Sequence, residues 1–285
     1  MGISRFESPA TIEAAIALLR GSTQSSAILG GGTDLIADVR AGRQVDLVVD
    51  IKKIVSLKSL SWEADGTLVI GACVPVQRVS EDEQIRKRYP ALSTAAGNVG
   101  SLQVRCRATI AGNLGNASPC ADNAPALLVL NAKVRIVSKD GPREVALDGF
   151  IRDVKKTALK RDEIIAAVII PPQPAGLRSA FLKIKRVRGH DLALVNAAGA
   201  YDPASGEFRL AIGSAACTPI LVRGIEAISP TDCPDDVGER LAERALASIS
   251  PIDDVRASAE YRRDMTALLS RRLARLLLNG DATRS

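Results

Sequence analysis

The stretch AILGGGTDLIADV, residues 27 to 39, passes from a short apolar run through three consecutive glycines into a pattern that favours a helix. A glycine run between a buried strand and a helix allows positive φ and lets a ligand approach the main chain. It also leaves the first N–H groups of the helix unpaired, and such groups bind anions. A tight turn without a ligand is the alternative. Neither the Walker spacing nor the G-x-G-x-x-G pattern is completed here, so a nucleotide would be held by another arrangement.

The residues around the glycines predict a small parallel unit. Residues 25–29 and 45–52 read as strands, and residues 33–42 read as a helix that Gly42 closes. Strand, helix and strand over so short a span indicate a βαβ unit with parallel strands. Upstream, Ser8-Pro9 is typical of a helix start and leads into residues with helical spacing.

The rest of the chain predicts a mixture of hairpins, helices and a second sheet. Alternating runs about Asp65-Gly66 and Asp140-Gly141 indicate two hairpins. Residues 74–99 predict two helices broken at Pro90, whereas residues 101–132 show little periodicity. The later predicted elements are a strand at 164–170 followed by a double proline, antiparallel strands at 179–187, 193–201 and 207–216, and helices at about 235–248 and 253–278.

Composition narrows the class of protein. The chain has 285 residues, a formal net charge of +6 and an aromatic content of 3%, which leaves few rings for stacking on nucleic-acid bases. The five cysteines show no C-x-x-C spacing, so we expect reduced thiols and no metal or iron–sulfur site. We find no stretch of roughly 18 apolar residues and no signal-peptide pattern, and therefore expect no membrane span and a cytoplasmic location. Basic runs near the C-terminus are interpreted as a solvated helix face, with a surface for a partner or polyanion as the alternative.

A second unusual stretch, TIAGNLGNASPCAD at residues 109 to 122, also concentrates small residues and adds polar side chains. Taken alone it could be an irregular turn region. Two such segments, far apart in sequence, are better explained together, because both could grip one extended ligand that has a diphosphate in its middle.

With these motifs the sequence resembles the FAD-binding medium subunits of molybdenum hydroxylases. The similarity runs nearly end to end, and the stretches that carry it are FESPATIEAAIALL at 6–19, GGGTDL at 30–35, QVRCRATIAGNLGNASPCAD at 103–122, DEII at 162–165, K-x-x-R and DLALVNAA within 183–198, and IGSAACTPI at 212–220. The resemblance implies an α+β chain with the PCMH-type two-lobe FAD-binding fold, a small βαβ lobe plus a larger mixed α/β lobe, followed by a C-terminal antiparallel sheet with helices. The implied domains are residues 1–55, 56–172 and 173–285.

The resemblance also implies a set of residues that bind FAD between the first two lobes. The first segment would wrap the pyrophosphate largely through main-chain N–H groups, the second would hold the diphosphate, ribityl and adenosine parts, and two later residues would lie near the isoalloxazine ring. In this sequence they are Leu29, Gly30, Gly31, Gly32, Thr33, Asp34, Leu35; Thr109, Gly112, Asn113, Asn116, Asp122; and Ile165 and Lys183. The sequence departs from the family pattern at Ala111, where a glycine is usual, and at Cys106 and Cys120.

By the same resemblance, the chain is the FAD-carrying oxidoreductase subunit of a larger assembly. A large molybdopterin-binding subunit would oxidise the substrate, and a small [2Fe–2S] subunit would pass electrons to FAD, which an acceptor such as NAD or a quinone would reoxidise. Two alternatives remain open: a non-catalytic nucleotide-binding assembly module and a self-contained flavin oxidoreductase. No acid–base constellation is evident, and the only histidine, His190, is interpreted as a structural or surface residue. Lys183 is either part of a solvated strand face or a cation near the flavin.

Overall fold

The computed structural model describes residues 2–22 and 25–280 and shows a mixed α/β chain built around three larger sheets. Positions 1, 23, 24 and 281–285 of the expected domains lie outside the described residues. The first sheet is parallel, with strand order β1-β3-β2. Its elements in chain order are β1 (Ile3–Glu7), α1 (Ile12–Gly21), β2 (Ser26–Leu29), α2 (Leu35–Arg40) and β3 (Val45–Asp50).

The βαβ unit predicted around the glycine run is confirmed, because β2 and β3 are parallel neighbours with α2 between them. Strand β1 was not predicted, and it pairs with the other side of β3. The expected helix start at Ser8 is wrong. Thr11 caps α1 instead, since its hydroxyl accepts from the N–H of Ala14 at 3.2 Å.

The second sheet is antiparallel, with strand order β4-β5-β10-β6-β7, and both predicted hairpins lie in it. Six short helices stand between β5 and β6 along the chain. In chain order, the elements of this region are β4 (Leu60–Trp62), β5 (Leu68–Gly71), α3 (Val76–Glu81), α4 (Glu83–Arg88), α5 (Pro90–Gly97), α6 (Leu102–Arg105), α7 (Ile110–Gly115), α8 (Asn123–Val129), β6 (Lys133–Ser138), β7 (Gly141–Ala146), β8 (Ile151–Asp153), β9 (Lys156–Thr157) and β10 (Ile164–Ile170). Among the described residues, strands β8 and β9 pair only with each other.

Two expectations about this region are corrected. Residues 74–99 form three helices rather than two, because Asp82 ends α3 and caps α4 by accepting from the N–H of Ile85 at 2.9 Å. The region 101–132, which lacks periodicity, contains α6, α7 and α8. These helices are too short for the 3.6-residue pattern to repeat.

The third sheet is antiparallel with order β11-β12-β13-β14, and the two longest helices follow it. Helix α10 packs against β12, where a Cβ at Gly199 would lie 2.7 Å from Leu277 Cδ1. This helix begins at 259, after the Ser258 cap, and not at 253 as expected. The elements are β11 (Arg178–Ile184), β12 (Val195–Tyr201), β13 (Phe208–Gly213), β14 (Ile220–Leu221), α9 (Pro234–Ser248) and α10 (Ala259–Leu278).

Helices α5 and α8 join the second and third sheets. Both are buried along most of their length. Helix α5 contacts β11, and helix α8 contacts β12 and β13. One continuous hydrophobic core therefore runs from α1 through the second sheet to residues of β11, β12 and β13.

The domain boundaries expected at residues 55 and 172 stay predictions. No helix among the described residues is long and apolar enough to cross a membrane.

A partly buried ion pair ties the edge strand β7 to the start of β10. The guanidinium of Arg143 donates to both carboxylate oxygens of Glu163, at 2.8 and 2.7 Å, and the Glu163 side chain is only 3% exposed. The hydrogen bonds from Arg143 hold the pKa of Glu163 below its ordinary value of 4.5. The pair therefore stabilises the fold above about pH 4.5, and this contribution is lost as the pH falls through the lowered pKa.

We predict that Arg143→Met lowers the free energy of unfolding at pH 7 by about 2 kcal/mol, because it leaves a buried carboxylate without its cation. The deficit relative to the wild type shrinks below about pH 4.5, as the carboxyl group becomes protonated. Urea unfolding at several pH values measures both effects. The matched control is Arg135→Met, which breaks the more exposed pair with Glu144 and costs less than about 1 kcal/mol. Equal losses in the two variants would contradict this interpretation.

Candidate functional site

A cavity of about 680 Å³ lies where the end of β2, the start of α7 and the segment after β11 meet. This volume is in the range of sites that bind drug-sized ligands and cofactors. Twelve of the fourteen residues predicted from the sequence line it. They are Gly30, Gly31, Gly32, Thr33, Asp34, Leu35, Thr109, Gly112, Asn113, Asn116, Asp122 and Ile165. The structure thus brings the two segments that are rich in small residues, 27–39 and 109–122, to the same cavity.

A different structural feature explains why glycine stands at each of positions 30, 31 and 32. A Cβ at Gly31 would collide with the carbonyl oxygen of Arg107 and would lie 2.8 Å from the Cα of Ala108. Gly32 has φ of +80°, a conformation that other residues rarely adopt. A Cβ at Gly30 would meet only the Thr109 hydroxyl, at 3.6 Å, so that position has free space. Gly31 therefore serves contact between the two segments, and only Gly30 leaves room that a ligand can use.

The glycine segment presents a row of unused donors. Among the residues that the structure describes, no backbone N–H from Gly31 to Leu35 donates a hydrogen bond within the chain. The first helical N–H with an acceptor is that of Ile36, which donates to the carbonyl of Gly32 at 3.1 Å. Five successive free donors beside a cavity form a concave site suited to an anion such as a diphosphate.

The second segment adds donors from the opposite wall. Thr109 is 4% exposed and caps α7 by accepting from the N–H of Gly112 at 2.9 Å. The N–H group of Ala111, in the first turn of α7, has no acceptor among residues 2–22 and 25–280. The segment is fixed to the start of α3 because the N–H of Val76 donates to the carbonyl of Ala108 at 2.8 Å. Its donors are therefore held in place before any ligand arrives.

Polar side chains continue along the cavity beyond the helix end. The amide oxygen of Asn113 accepts from Asn123 at 3.1 Å, which leaves the Asn113 amide nitrogen without an acceptor in the described part of the chain. The amide oxygen of Asn116 accepts from the ammonium of Lys155 at 2.5 Å. Ile165 supplies an apolar wall and is 7% exposed. Such a mixture of apolar surface and a few fixed polar groups is typical of cofactor sites.

Asp122 connects the cavity to the third sheet. Its carboxylate accepts from the Lys183 ammonium at 2.7 Å and from the Asn196 amide at 3.0 Å, and both donors lie on strands of that sheet. Lys183 also donates to the carbonyl of Asn98 at 3.2 Å. Burial raises the pKa of Asp122, and the neighbouring ammonium and amide oppose that rise. A buried pair with extra hydrogen bonds fixes the position of this cavity wall.

Two of the fourteen predicted residues do not line the cavity. Leu29 is 8% exposed and packs in the small core of the first domain with Val45 and Val48. Lys183 lies behind Asp122, with its side chain 3% exposed. The alternative of a solvated strand face for Lys183 is therefore wrong, and its closest anion in the described chain is Asp122.

The structure also adds residues that sequence reasoning did not select. His190, Asp191 and Leu192 line the cavity from the loop between β11 and β12, although His190 was interpreted as a structural or surface residue. Asp191 receives two hydrogen bonds from the Arg186 guanidinium at 3.0 Å, which lower its pKa to about 2. Asp191 and Leu192 begin the DLALVNAA stretch, so a sequence signal existed. Cys120 also lines the cavity, and its sulfur accepts from Arg256 at 3.6 Å.

Comparisons with known proteins agree with the geometry. The family model of the FAD-binding domain in molybdopterin dehydrogenase matches residues 3–173, and that of the CO dehydrogenase flavoprotein C-terminal domain matches residues 179–277. The xanthine dehydrogenase FAD-binding subunit of Escherichia coli O157:H7 is 31% identical over 93% of this chain and 92% of its own length. A putative xanthine dehydrogenase FAD-binding subunit of E. coli K12 is 32% identical over 93% and 92%. A solved carbon monoxide dehydrogenase structure from Hydrogenophaga pseudoflava superposes with a TM-score of 0.91, at 25% identity, and covers 96% of this chain and 97% of that one.

We predict that Lys183→Met in the flavin-free chain lowers the free energy of unfolding at pH 7 by about 3–5 kcal/mol, because Asp122 becomes an unpaired buried charge. The pKa of Asp122 then rises further, so the deficit shrinks as the pH falls and the carboxyl group is protonated. Chemical unfolding at pH 7 and pH 5 measures this change. Asp122→Asn added to Lys183→Met restores part of the loss, since it removes the charge.

Lys156→Met is the matched control for this prediction, since it breaks an exposed ion pair with Asp153. Its cost is below about 1 kcal/mol. A Lys183→Met protein as stable as this control would show that the pair with Asp122 does not hold the cavity wall.

Proposed function

This chain belongs to the FAD-binding subunits of the molybdenum hydroxylase family, and we propose that it is the electron-transfer subunit of such an assembly. Its cofactor is FAD, and it is an oxidoreductase subunit. In the proposed role, electrons from substrate oxidation on a large molybdopterin-binding subunit cross the [2Fe–2S] clusters of a small subunit to FAD. They then leave to an external acceptor such as NAD or a quinone. The single observation that carries this proposal is the row of free main-chain donors on both walls of one cavity.

The residues present fit the cofactor. A diphosphate needs several N–H donors and a close main-chain approach, and the segment Gly30–Leu35 offers both, with Ala111 on the opposite wall. We assign the diphosphate to these two groups. Asn113, Asn116 and the carboxylate of Asp122 are assigned to the hydroxyl-bearing parts of FAD, because carboxylate and amide groups hydrogen-bond to hydroxyls.

Ile165 is assigned to the flavin ring, as an apolar surface on which the ring rests. Lys183 acts on the cavity through Asp122, because its ammonium donates to the Asp122 carboxylate at 2.7 Å. The positive charge beside Asp122 offsets the carboxylate, so this wall of the cavity carries no large net negative charge. That arrangement supports a flavin that must accept negative charge when it is reduced.

FAD supplies the redox chemistry when it is bound, since its ring exchanges electrons one or two at a time. The chain's own residues bind the cofactor, fix its orientation and exclude water from it. No metal-holding group of three or more His, Cys, Asp or Glu side chains is present among the described residues. The iron–sulfur clusters in the proposed electron path therefore belong to a partner chain. We also propose a cytoplasmic location, supported by five cysteines that are all free thiols.

Rapid mixing tests the electron-transfer role. The FAD-loaded chain is mixed without oxygen with the small iron–sulfur subunit of the assembly, after that subunit has been reduced. Loss of the visible flavin absorbance is the expected result. A flavin that stays oxidised while the clusters stay reduced would favour a non-catalytic nucleotide-binding module. Reduction of the flavin by a small substrate without any partner would favour a self-contained oxidoreductase.

We predict that Gly30→Val weakens FAD binding by about 100-fold while the fold remains stable. The added side chain has room in the protein but enters the space assigned to the diphosphate. Titration of the flavin-free chain with FAD measures the affinity, and thermal unfolding measures the stability. Gly21→Val is the matched control, because a Cβ there meets no atom within 4 Å and the residue lies outside the cavity lining.

Gly31→Ala gives a different result, since its methyl group meets the backbone of residues 107 and 108. It lowers both FAD affinity and stability. Wild-type FAD affinity in Gly30→Val would overturn the assignment of the diphosphate to this segment.

A further inference from the structure

The small hairpin of β8 and β9 contacts the end of α7, beside the cavity. Val154 and Lys155 form the turn between its two strands. Leu159, two residues beyond β9, lines the cavity. Within the described part of the chain the hairpin adds no strand to the three larger sheets, so their hydrogen bonding does not explain its position.

Two residues in the left-handed backbone conformation meet where the hairpin contacts α7. Lys155 has φ of +59°, and Ala117, which directly follows Asn116, has φ of +46°. The N–H of Lys155 donates to the carbonyl of Ala117 at 2.9 Å. This conformation is unfavourable for residues that have a Cβ, and it is often found at functional sites. The contact between the turn and the helix end is therefore kept in spite of local backbone strain.

The side chain of Lys155 binds the same helix end. Its ammonium donates to the amide oxygen of Asn116 at 2.5 Å. An ammonium has donors only, so it binds the oxygen of an amide and not the nitrogen. The orientation of the Asn116 amide is thereby fixed. Its two N–H donors have no acceptor in the described part of the chain, and Asn116 lines the cavity.

Lys155 forms this contact rather than an ion pair. Among residues 2–22 and 25–280, no carboxylate lies within ion-pair distance of its ammonium, and the nearby Asp153 pairs with Lys156 at 3.0 Å. Lys155 is exposed, so water and salt screen its charge. Its main effect on the cavity is therefore the orientation of the Asn116 amide and not a long-range attraction.

A second amide in the cavity is arranged in the same way. Asn113 precedes Asn116 by three residues, and its amide oxygen accepts from the fully buried Asn123 at 3.1 Å. Neither Asn123 nor Lys155 lines the cavity. Both cavity amides thus have their oxygens bound by residues outside the lining, and both keep N–H groups for a ligand. Two amides held as donors favour a part of the ligand that is rich in acceptor oxygens.

We propose that Lys155 is a positioning residue of the cofactor site, which holds the Asn116 amide as a donor to an oxygen of the hydroxyl-bearing part of FAD. This inference rests on the proposed assignment of Asn116 to the cofactor. Lys155 acts only through Asn116. Without Lys155 the amide rotates freely, and ordering it again when FAD binds lowers the affinity.

A double-mutant cycle on FAD affinity tests the proposal, with the full flavin-free chain titrated with FAD. We expect Lys155→Met to weaken binding about fivefold and Asn116→Ala about tenfold. The double variant should bind no more weakly than Asn116→Ala, because Lys155 then has no amide to hold. Lys155→Arg should keep most of the affinity, since a guanidinium also has donors only.

Lys155→Gly separates positioning from folding. Glycine relieves the backbone strain at the turn, so this variant should melt at the same temperature as the wild type or higher. It should nevertheless lose as much FAD affinity as Lys155→Met. Lys156→Met is the matched control in the same hairpin, because it breaks only the exposed pair with Asp153, and it should bind FAD as the wild type does.

Wild-type FAD affinity in Lys155→Met overturns the positioning role of Lys155. Independent losses that multiply to about fiftyfold in the double variant overturn it as well, because they would show that Lys155 does not act through Asn116. Wild-type affinity in Asn116→Ala overturns the assignment of Asn116 to the cofactor instead. The failure of this inference and the failure of the proposed site are therefore distinguishable.

Discussion

The close approach of two backbones at Gly31 is the constraint on which the site depends. Only a hydrogen atom fits between this residue and the backbone of Arg107 and Ala108, so no other side chain allows the end of β2 to meet the start of α7. That contact joins the end of β2 to the region of α3, because the carbonyl of Ala108 accepts a hydrogen bond from the N–H of Val76. The same approach places free N–H donors from both segments on one cavity. Gly31 therefore explains the packing of the two segments, and we propose that the donors brought together by this contact bind the cofactor.

The third sheet also contributes to the candidate site. Lys183 and Asn196 fix Asp122 from strands β11 and β12, and residues 190–192 close one side of the cavity. Arg262, from the C-terminal basic run, is 2% exposed and donates to the carbonyls of Leu194 and Ser214 at 2.6 and 2.9 Å. This arginine is structural, in contrast to the solvated helix face expected for the run. Arg271 and Arg275 do pair on the surface with acidic residues of α9.

Local signals in the sequence were sufficient to predict those elements whose residue pattern repeats within a few positions. The βαβ unit and both hairpins were predicted because alternation and turn residues act over short range. Strand β1 was not predicted. Its Phe6 is exposed, and its partner β3 lies far along the chain, beyond α1 and β2. The partner of Lys183 could not be predicted either, because Asp122 is sixty-one positions away and the ion pair exists only after the third sheet packs on α8. His190 was interpreted as structural or superficial because flavin electron transfer needs no protein general base, and that argument does not tell which loops line the cavity.

Amide hydrogen exchange of the full chain, with and without bound FAD, tests the central claim most directly. The free N–H groups of residues 31–35 and 111 should exchange quickly in the flavin-free chain and slowly when FAD is bound, because the diphosphate then accepts their hydrogen bonds. Both segments must become protected together, while distant loops such as residues 139–141 stay unchanged. Stoichiometric FAD binding with unaltered exchange in either segment would contradict the account.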